Sequence, residues 1–210
     1  SLRQRLADHW RAAAQMEHAS VAAFARLTLD LLAAGAPPDL VARAQQAGID
    51  EVRHAQACFG LAQRCDGQTR GPGQLAVGGA VLHADLAASA AAAVVEGCVF
   101  ETSAALEARV AAGQATDATV RAALTTIADD EARHAELSWD IVRWALAQGD
   151  GAVRDAVKAA FDHGIADLRA GDTGAEIATG HGIVAGRALQ RLRQHAVDEI
   201  IAPSRRRLLG

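Results

Sequence analysis

A six-residue motif that occurs twice constrains the fold of this chain of 210 residues more than any other feature of the sequence. Residues 50–55 read Asp-Glu-Val-Arg-His-Ala, and residues 130–135 read Asp-Glu-Ala-Arg-His-Ala. The two copies lie 80 residues apart, agree at five of six positions, and each falls inside a stretch with helical periodicity. Such self-similarity predicts that the chain contains a duplicated structural unit.

Two other acidic residues extend the duplication. Glu17 lies 34 residues before Glu51, Glu96 lies 35 residues before Glu131, and each of the upstream residues stands alone in an apolar stretch. The matched distances predict two helical hairpins, each with one Glu on its first helix and Glu-x-x-His on its second.

The composition favours helices over strands. Half of the residues are hydrophobic, only 3% are aromatic, and the chain has four prolines. The apolar residues are mainly Ala and Leu, which are strong helix formers, whereas the residues that favour β-strands are scarce. Three cysteines are too few for a disulfide scaffold, and a net charge of −4 gives no reason to expect nucleic acid or an anionic membrane as a partner.

We therefore predict an all-α protein in two parts. Residues 1–149 are expected to form an antiparallel four-helix bundle, and residues 150–210 a helical extension packed on it. Helices are predicted over about Leu2–Ala34, Asp39–Cys65, Leu75–Ala112 and Asp117–Gln148 in the bundle, and over about Val153–Arg169 and Ile183–Ile201 in the extension. Asp39 and Asp117 are the predicted caps of the second and fourth helices. Gly171–Gly182 is a glycine-rich joint, and Ser204–Arg207 is predicted to be a solvated basic tail.

The longest apolar run, Leu86–Val95, stops at Glu96 and is too short to cross a bilayer, so no membrane association is expected. Reduced thiols and the lack of a visible signal peptide favour a cytoplasmic protein. The chain begins with Ser1 rather than Met, which leaves a preceding export signal as an alternative.

Helical geometry directs the repeated residues inward. Positions i and i+3 share a helix face, so the Glu of each motif projects together with the His of the same motif. The upstream Glu of each half falls in the apolar stripe of its own helix. The residues predicted to point into the interior are Glu17, Glu51, His54, Glu96, Glu131 and His134.

Burial of these side chains without a counter-charge would be very costly, because each isolated ion loses its hydration. Four carboxylates neutralise two divalent cations, and each imidazole adds one neutral nitrogen ligand. Carboxylate-rich ligands with one imidazole per ion suit iron or manganese better than zinc or copper. The sequence therefore predicts two Fe ions, with Mn or a mixed Fe/Mn pair as the alternative.

This duplicated pattern resembles the ferritin-like di-iron carboxylate superfamily over about Leu6–Leu146. The fuller Asp-Glu-x-Arg-His form is similar to the oxygen-activating branch of that superfamily. The resemblance implies that each Asp orients the His of the other motif through its free ring nitrogen, and that the Arg holds the Asp. Such a bond fixes the tautomer of the ligand and raises its basicity.

The implied supporting residues are Asp50, which would orient His134, Asp130, which would orient His54, and the arginines Arg53 and Arg133. Surface ion pairs are the alternative interpretation of these four residues, because Asp and Arg are mostly exposed in proteins.

The third helix carries a second acidic residue, Glu101. Five residues rotate a regular α-helix about 140° beyond a full turn, so Glu96 and Glu101 cannot both face the metals, and Glu96 is the better match to Glu17. Gly97 is unfavourable in a helix interior, and a π-bulge there would absorb one residue and bring Glu101 inward as an additional ligand. An exposed or ion-paired Glu101 is the alternative.

The resemblance implies an oxidoreductase that activates O2 or peroxide to oxidise a small substrate of unknown identity. The chain has no Tyr and no Cys-x-x-Cys pair, which excludes a tyrosyl relay and a fused rubredoxin-type centre, so a separate electron donor is expected. The alternatives are a ferroxidase or iron-handling protein, a dimanganese catalase, and a metal-free interaction bundle. A homodimer is compatible with the sequence.

Overall fold

The computed structural model describes residues 1–78, 82–83, 85–174 and 180–210. Every regular element in these ranges is helical, which confirms the all-α prediction. Within them lie the helices α1 (Leu2–Ala33), α2 (Pro38–Asp66), α3 (Leu86–Gln114), α4 (Ala118–Gln148), α5 (Gly151–Ala170) and α6 (residues 186–209). Helix α3 contains a π-helical segment, Val94–Glu101, and α6 contains another, Ala196–Ile201. The chain divides into two compact units, Ser1–Leu82 and His83–Gly210.

The first unit is a hairpin of α1 and α2. Arg3 Nε donates a hydrogen bond to the carbonyl oxygen of Cys65 over 2.7 Å, and Arg11 Nη1 lies 2.5 Å from Asp66 Oδ2. Both contacts join the start of α1 to the end of α2, so the two helices are antiparallel, as predicted for consecutive helices with a short connection.

The ends of α2 follow from two local features. The helix begins at Pro38, where a proline is tolerated because the first N–H groups of a helix have no intrahelical partner. Asp39, predicted to cap this helix, therefore lies inside its first turn. The helix ends at Asp66 and is capped by Gly67, whose φ of 76° is left-handed and whose N–H donates to the carbonyl of Gln63.

In the second unit, α3 and α4 also form an antiparallel hairpin. Arg109 Nη2 lies 2.6 Å from Asp129 Oδ1, and Trp139 Nε1 donates to Thr102 Oγ1 over 3.4 Å. The Asp117 carboxylate accepts hydrogen bonds from the first backbone N–H groups of α4, which confirms the predicted cap.

Helix α3 begins later than the sequence predicted. Its first residue is Leu86 rather than Leu75, and the Asp85 carboxylate caps it by accepting a 2.8 Å hydrogen bond from the N–H of Ala88. The Gly78-Gly79 pair in the sequence disfavours helix before that point. Part of the predicted helix start, residues 79–81 and 84, lies outside the described residues.

The C-terminal helices pack within the second unit. Helix α5 lies so close to α3 that a Cβ atom added at Gly164 would be 3.3 Å from Val99 Cγ2. Residues 150–210 thus belong to the same compact unit as α3 and α4, and the domain division predicted at residue 149 stays a prediction. The predicted four-helix bundle of residues 1–149 stays a prediction.

The residues of the predicted solvated tail, Ser204–Arg207, are helical, and Arg205 among them packs on the protein while Arg206 and Arg207 are exposed. These residues lie in α6, which continues beyond the predicted end at Ile201. Arg205 Nη1 lies 2.7 Å from Asp162 Oδ1, and its guanidinium lies 5.8 Å from the ring centroid of Phe161. Five residues of the predicted glycine-rich joint, 175–179, lie outside the described residues.

Among the helices of the described residues, one, α3, is long and apolar enough to cross a membrane by length and composition. The mean hydropathy of its most apolar window is 1.3, and 44% of that window is buried inside the protein. The sequence prediction considered only the shorter run that ends before Glu96. This is weak evidence for a membrane span, because the core helix of a soluble protein meets the same criteria.

Candidate metal centre

Three predicted ligands come together in the first unit. Glu17 lies on α1, and Glu51 and His54 lie one turn apart on α2. His54 Nδ1 is 3.7 Å from Glu17 Oε2 and 3.7 Å from Glu51 Oε1. Each residue offers one ligand atom within 4.8 Å of the others. The side chains of Glu51 and His54 are each only 1% exposed, and Glu17 is half-buried. We call these residues the first triad.

The second unit contains an equivalent group, which we call the second triad. Glu131 and His134 lie one turn apart on α4, and His134 Nδ1 is 3.7 Å from Glu131 Oε2. The third member is Glu101 of α3, which offers a carboxylate oxygen within 4.8 Å of a ligand atom of each of the other two. Glu131 and His134 are buried, and Glu101 is half-buried. Each unit therefore presents two carboxylates and one imidazole.

The distances fit ligands of a shared cation. Separations of 3.7 Å between nitrogen and oxygen are too long for hydrogen bonds. Two ligand atoms that each lie about 2.1 Å from one metal ion are about 3 to 4 Å apart, depending on the angle between them. The triads thus place their donor atoms at the spacing that coordination requires.

The charges of each triad also favour a bound cation. Two buried or half-buried carboxylates bring two negative charges into an apolar interior, where their hydration is lost. One divalent cation balances that pair, and a neutral imidazole completes a donor set of the kind preferred by iron and manganese. The chemistry of the donors therefore fits a divalent ion in each triad.

The aspartates of the two motifs are buried beside the triads, and their arginines are exposed. Asp50 Oδ1 accepts hydrogen bonds from Arg53 Nη1 over 3.0 Å and from Gln46 Nε2 over 2.9 Å. Asp130 pairs with Arg133 in the same way on α4. The Asp–Arg pairs that the resemblance implied are present, and neither is a simple surface ion pair because both carboxylates are buried. The contacts predicted from these aspartates to the histidines stay predictions.

Glu96, which was predicted to face the metals, is not brought to the second triad. It is exposed, and Glu101 lies beside Glu131 and His134 instead. The cause is the π-helical segment Val94–Glu101, which adds one residue to the helical repeat and so changes the face on which every following side chain lies. The π-bulge considered from the sequence is present and Glu101 faces inward, but Glu101 takes the place of Glu96 rather than adding to it.

The π-helical segment lies against α4 at Gly97. A Cβ atom there would overlap the Oγ and Cβ atoms of Ser138, which is one turn beyond His134. Ser138 is buried, and its hydroxyl donates to the carbonyl of His134 over 3.1 Å. Burial also raises the pKa of the neighbouring Cys98 thiol well above its ordinary value, which keeps that side chain neutral. The glycine therefore has a packing role that compensates for its low helix propensity.

A groove of about 670 Å³ lies in the second unit and was not predicted from the sequence. It is lined by residues of α3, α4 and α6, among them Thr102, Trp139 and Ile200. No motif marks these positions, and Trp139 was the one signal at the groove that the sequence offered. These residues line one groove only because α6 lies beside α3 and α4, and no role was predicted for α6 from the sequence.

A scan against models of protein families, a search of curated proteins and a search of solved structures each found no match to this chain. The class of this protein therefore follows from its own sequence and structure alone. It is an all-helical protein with buried groups of Glu and His that have the chemistry to hold metal ions.

Proposed function

We propose that the protein is a di-iron carboxylate oxidoreductase that activates O2 or peroxide to oxidise a small organic substrate. In this proposal each triad holds one Fe ion, so that the chain binds two. The observation that carries the proposal is that each compact unit builds the same donor set, Glu plus Glu-x-x-His, from an antiparallel helical hairpin.

The donor count supports a redox centre rather than a purely structural site. Three protein donors leave coordination positions open on a metal that binds up to six ligands, and open positions are where an oxidant binds. The bound iron pair would supply electrons to O2 or peroxide. The carboxylates of Glu51 and Glu131 would balance the charge of the ions, and His54 and His134 would each keep a neutral nitrogen directed at one ion.

The buried aspartates have a separate task. A carboxylate that accepts the second ring N–H of a ligating histidine fixes the tautomer, so that the other nitrogen carries the lone pair needed for the metal. In the proposed assembly, Asp50 and Asp130 perform this task, and the exposed Arg53 and Arg133 hold the two aspartates in place. Electrons would come from a separate protein or small-molecule donor.

The test starts from protein purified without added metal. Elemental analysis followed by anaerobic Fe(II) titration is expected to give two ions per chain, and mixing with O2 is expected to oxidise both in one rapid phase. Replacement of Glu51 and Glu131 by Gln should abolish binding and oxidation, while replacement of the exposed Glu199 by Gln should leave both unchanged.

Three results would contradict the proposal. Oxidation of many equivalents of Fe(II) without an organic substrate would identify an iron-handling ferroxidase. Two tightly held Mn ions with disproportionation of peroxide would identify a dimanganese catalase. Failure to bind any divalent ion would contradict a metal function altogether.

A further inference from the structure

The groove in the second unit lies on the helices α3 and α4, which also carry the second triad. Thr102 and Ala135 line it, and in the chain each directly follows a triad residue, Glu101 or His134. Four of its seven apolar lining residues are alanine, whose small side chains leave the space open. Its volume of about 670 Å³ lies in the range of small-molecule binding sites.

Trp139 gives the groove one fixed aromatic wall. Its Nε1 donates to Thr102 Oγ1 over 3.4 Å, and its ring stacks on Phe161 of α5 with centroids 5.4 Å apart and an interplanar angle of 26°. Contacts on two sides restrict the indole to one orientation. The apolar part of a ligand can therefore pack on the ring without first ordering it.

The charges at the groove leave one carboxylate for a ligand. Arg109 is paired with Asp129 over 2.6 Å, and Arg143 with Asp140 over 2.5 Å. Glu136 also lines the groove, and its side chain makes neither an ion pair nor a hydrogen bond within the described part of the chain. It lies three residues before Trp139 on α4, so the carboxylate and the indole share a helix face.

We propose that this groove binds an organic amine, with the protonated nitrogen at Glu136 and the apolar body against Trp139 and the alanines. A carboxylate beside an aromatic ring attracts an ammonium group through both charge pairing and the cation–π interaction. The inference rests on the proposed function only in taking that amine as the substrate, because binding in the groove does not require metal.

The test uses three probes with one apolar body: 4-phenylbutylamine, 4-phenylbutanol and 4-phenylbutanoate. Calorimetric titration of the metal-free chain of 210 residues at neutral pH is expected to show the amine binding about tenfold more tightly than the alcohol, and the carboxylate binding most weakly. Equal affinity for amine and alcohol, or tighter binding of the carboxylate, would overturn the proposal.

Two pairs of variants localise the binding. Glu136→Gln should reduce the affinity for the amine to that for the alcohol, while the exposed Glu199→Gln should not. Ala132→Trp should fill the groove and weaken all three probes, whereas Ala122→Trp, at an exposed position of α4 outside the groove, should not. Unchanged binding to Ala132→Trp protein that retains its helical circular dichroism would place the probes elsewhere and contradict the assignment.

The iron experiment separates this inference from the proposed function. Amine binding by a protein that does not oxidise Fe(II) would support the groove and reject the oxidoreductase. Iron oxidation by a protein that prefers the alcohol or the carboxylate would support the oxidoreductase and reject the amine.

Discussion

Gly97 of α3 lies directly against Ser138 of α4, with no room for a side chain between them. Ser138 in turn donates to the carbonyl of His134, one turn earlier on α4. The π-helical segment that contains Gly97 ends at Glu101, so this contact and the second triad belong to the same stretch of two helices. The smallest residue in that segment therefore sets how closely the helix carrying Glu101 can approach the helix carrying His134.

Gly97→Ala is expected to destabilise the protein by about 1–3 kcal/mol, because the added Cβ overlaps Ser138 and forces α3 and α4 apart. The loss is expected despite the better helix propensity of Ala, which is worth about 1 kcal/mol. The measurement is thermal or denaturant unfolding. Addition of Ser138→Gly should restore much of the stability, whereas Ser138→Ala should not, since the Cβ of Ser138 also overlaps.

Gly60→Ala is the matched control, because a Cβ at that helical glycine of α2 meets no atom within 4 Å. It should stabilise the protein by about 0.5–1 kcal/mol. If Gly97→Ala gave the same gain as Gly60→Ala, the close packing at Ser138 would not exist in solution.

Glu101→Gln is expected to weaken metal binding at the second triad by about tenfold or more, since loss of even an indirect partner of a ligand costs about 10- to 100-fold. Glu96→Gln should leave the affinity unchanged because Glu96 is exposed and lies outside the triad. Anaerobic Co(II) titration followed by visible absorption measures both affinities. A larger effect of Glu96→Gln would restore the ligand assignment made from sequence.

The contrast between these two glutamates shows how far the sequence predicts the site. Glu51 and His54, like Glu131 and His134, lie on uninterrupted α-helix, where a spacing of three residues is enough to place both side chains on a common face. Glu101 reaches its place only through the π-helical segment. A π-helix has no strong sequence signature, and here it depends on packing of Gly97 against a residue 41 positions later in the chain.

The C-terminal region was less predictable for a related reason. The helices α5 and α6 were expected from their periodicity, and their existence is confirmed. Their contacts were not predictable, because an Arg on an amphipathic helix is equally compatible with solvent and with an aromatic partner. The placement of Arg205 over Phe161 depends on tertiary packing alone.

Asp50→Asn is expected to lower metal affinity by about 10- to 100-fold, because it removes the charge of a buried carboxylate that is expected to orient a ligating histidine. Asp39→Asn, at an exposed position on the same helix, is the control and should have no effect. Co(II) titration again measures the affinity. Equal affinities for the two variants would show that Asp50 serves stability rather than the metal.

His9 predicts a pH dependence of stability in the first unit. Burial lowers its pKa from the ordinary value of 6.5, and its ring packs edge-on against Trp10 with centroids 5.2 Å apart. The unfolded chain therefore binds more protons than the folded protein between the lowered pKa and about 6.5. The stabilisation from the neutral ring is complete above about pH 6.5 and is lost as the pH falls through that window.

Thermal unfolding measured between about pH 8 and pH 5 should thus show a smaller decrease in Tm for His9→Gln than for the wild type, because the variant has no imidazole to protonate. His195→Gln, at an exposed position of α6, should follow the wild-type curve. Parallel curves for His9→Gln and the wild type would mean that His9 is not buried in the folded protein.

Arg205→Met tests whether the end of α6 is docked or solvated. The side chain contacts Phe161, pairs with Asp162 over 2.7 Å, and is only 26% exposed. Loss of a partly exposed ion pair and a cation–π contact is expected to cost about 1 kcal/mol, which is about 2–4 °C in Tm for a protein of this size. The neighbouring Arg207 is exposed and makes no ion pair or hydrogen bond within the described ranges, so Arg207→Met should change the stability by less than about 0.5 kcal/mol. If both variants unfolded at the wild-type temperature, the basic end of the chain would be the solvated tail that its composition first indicated.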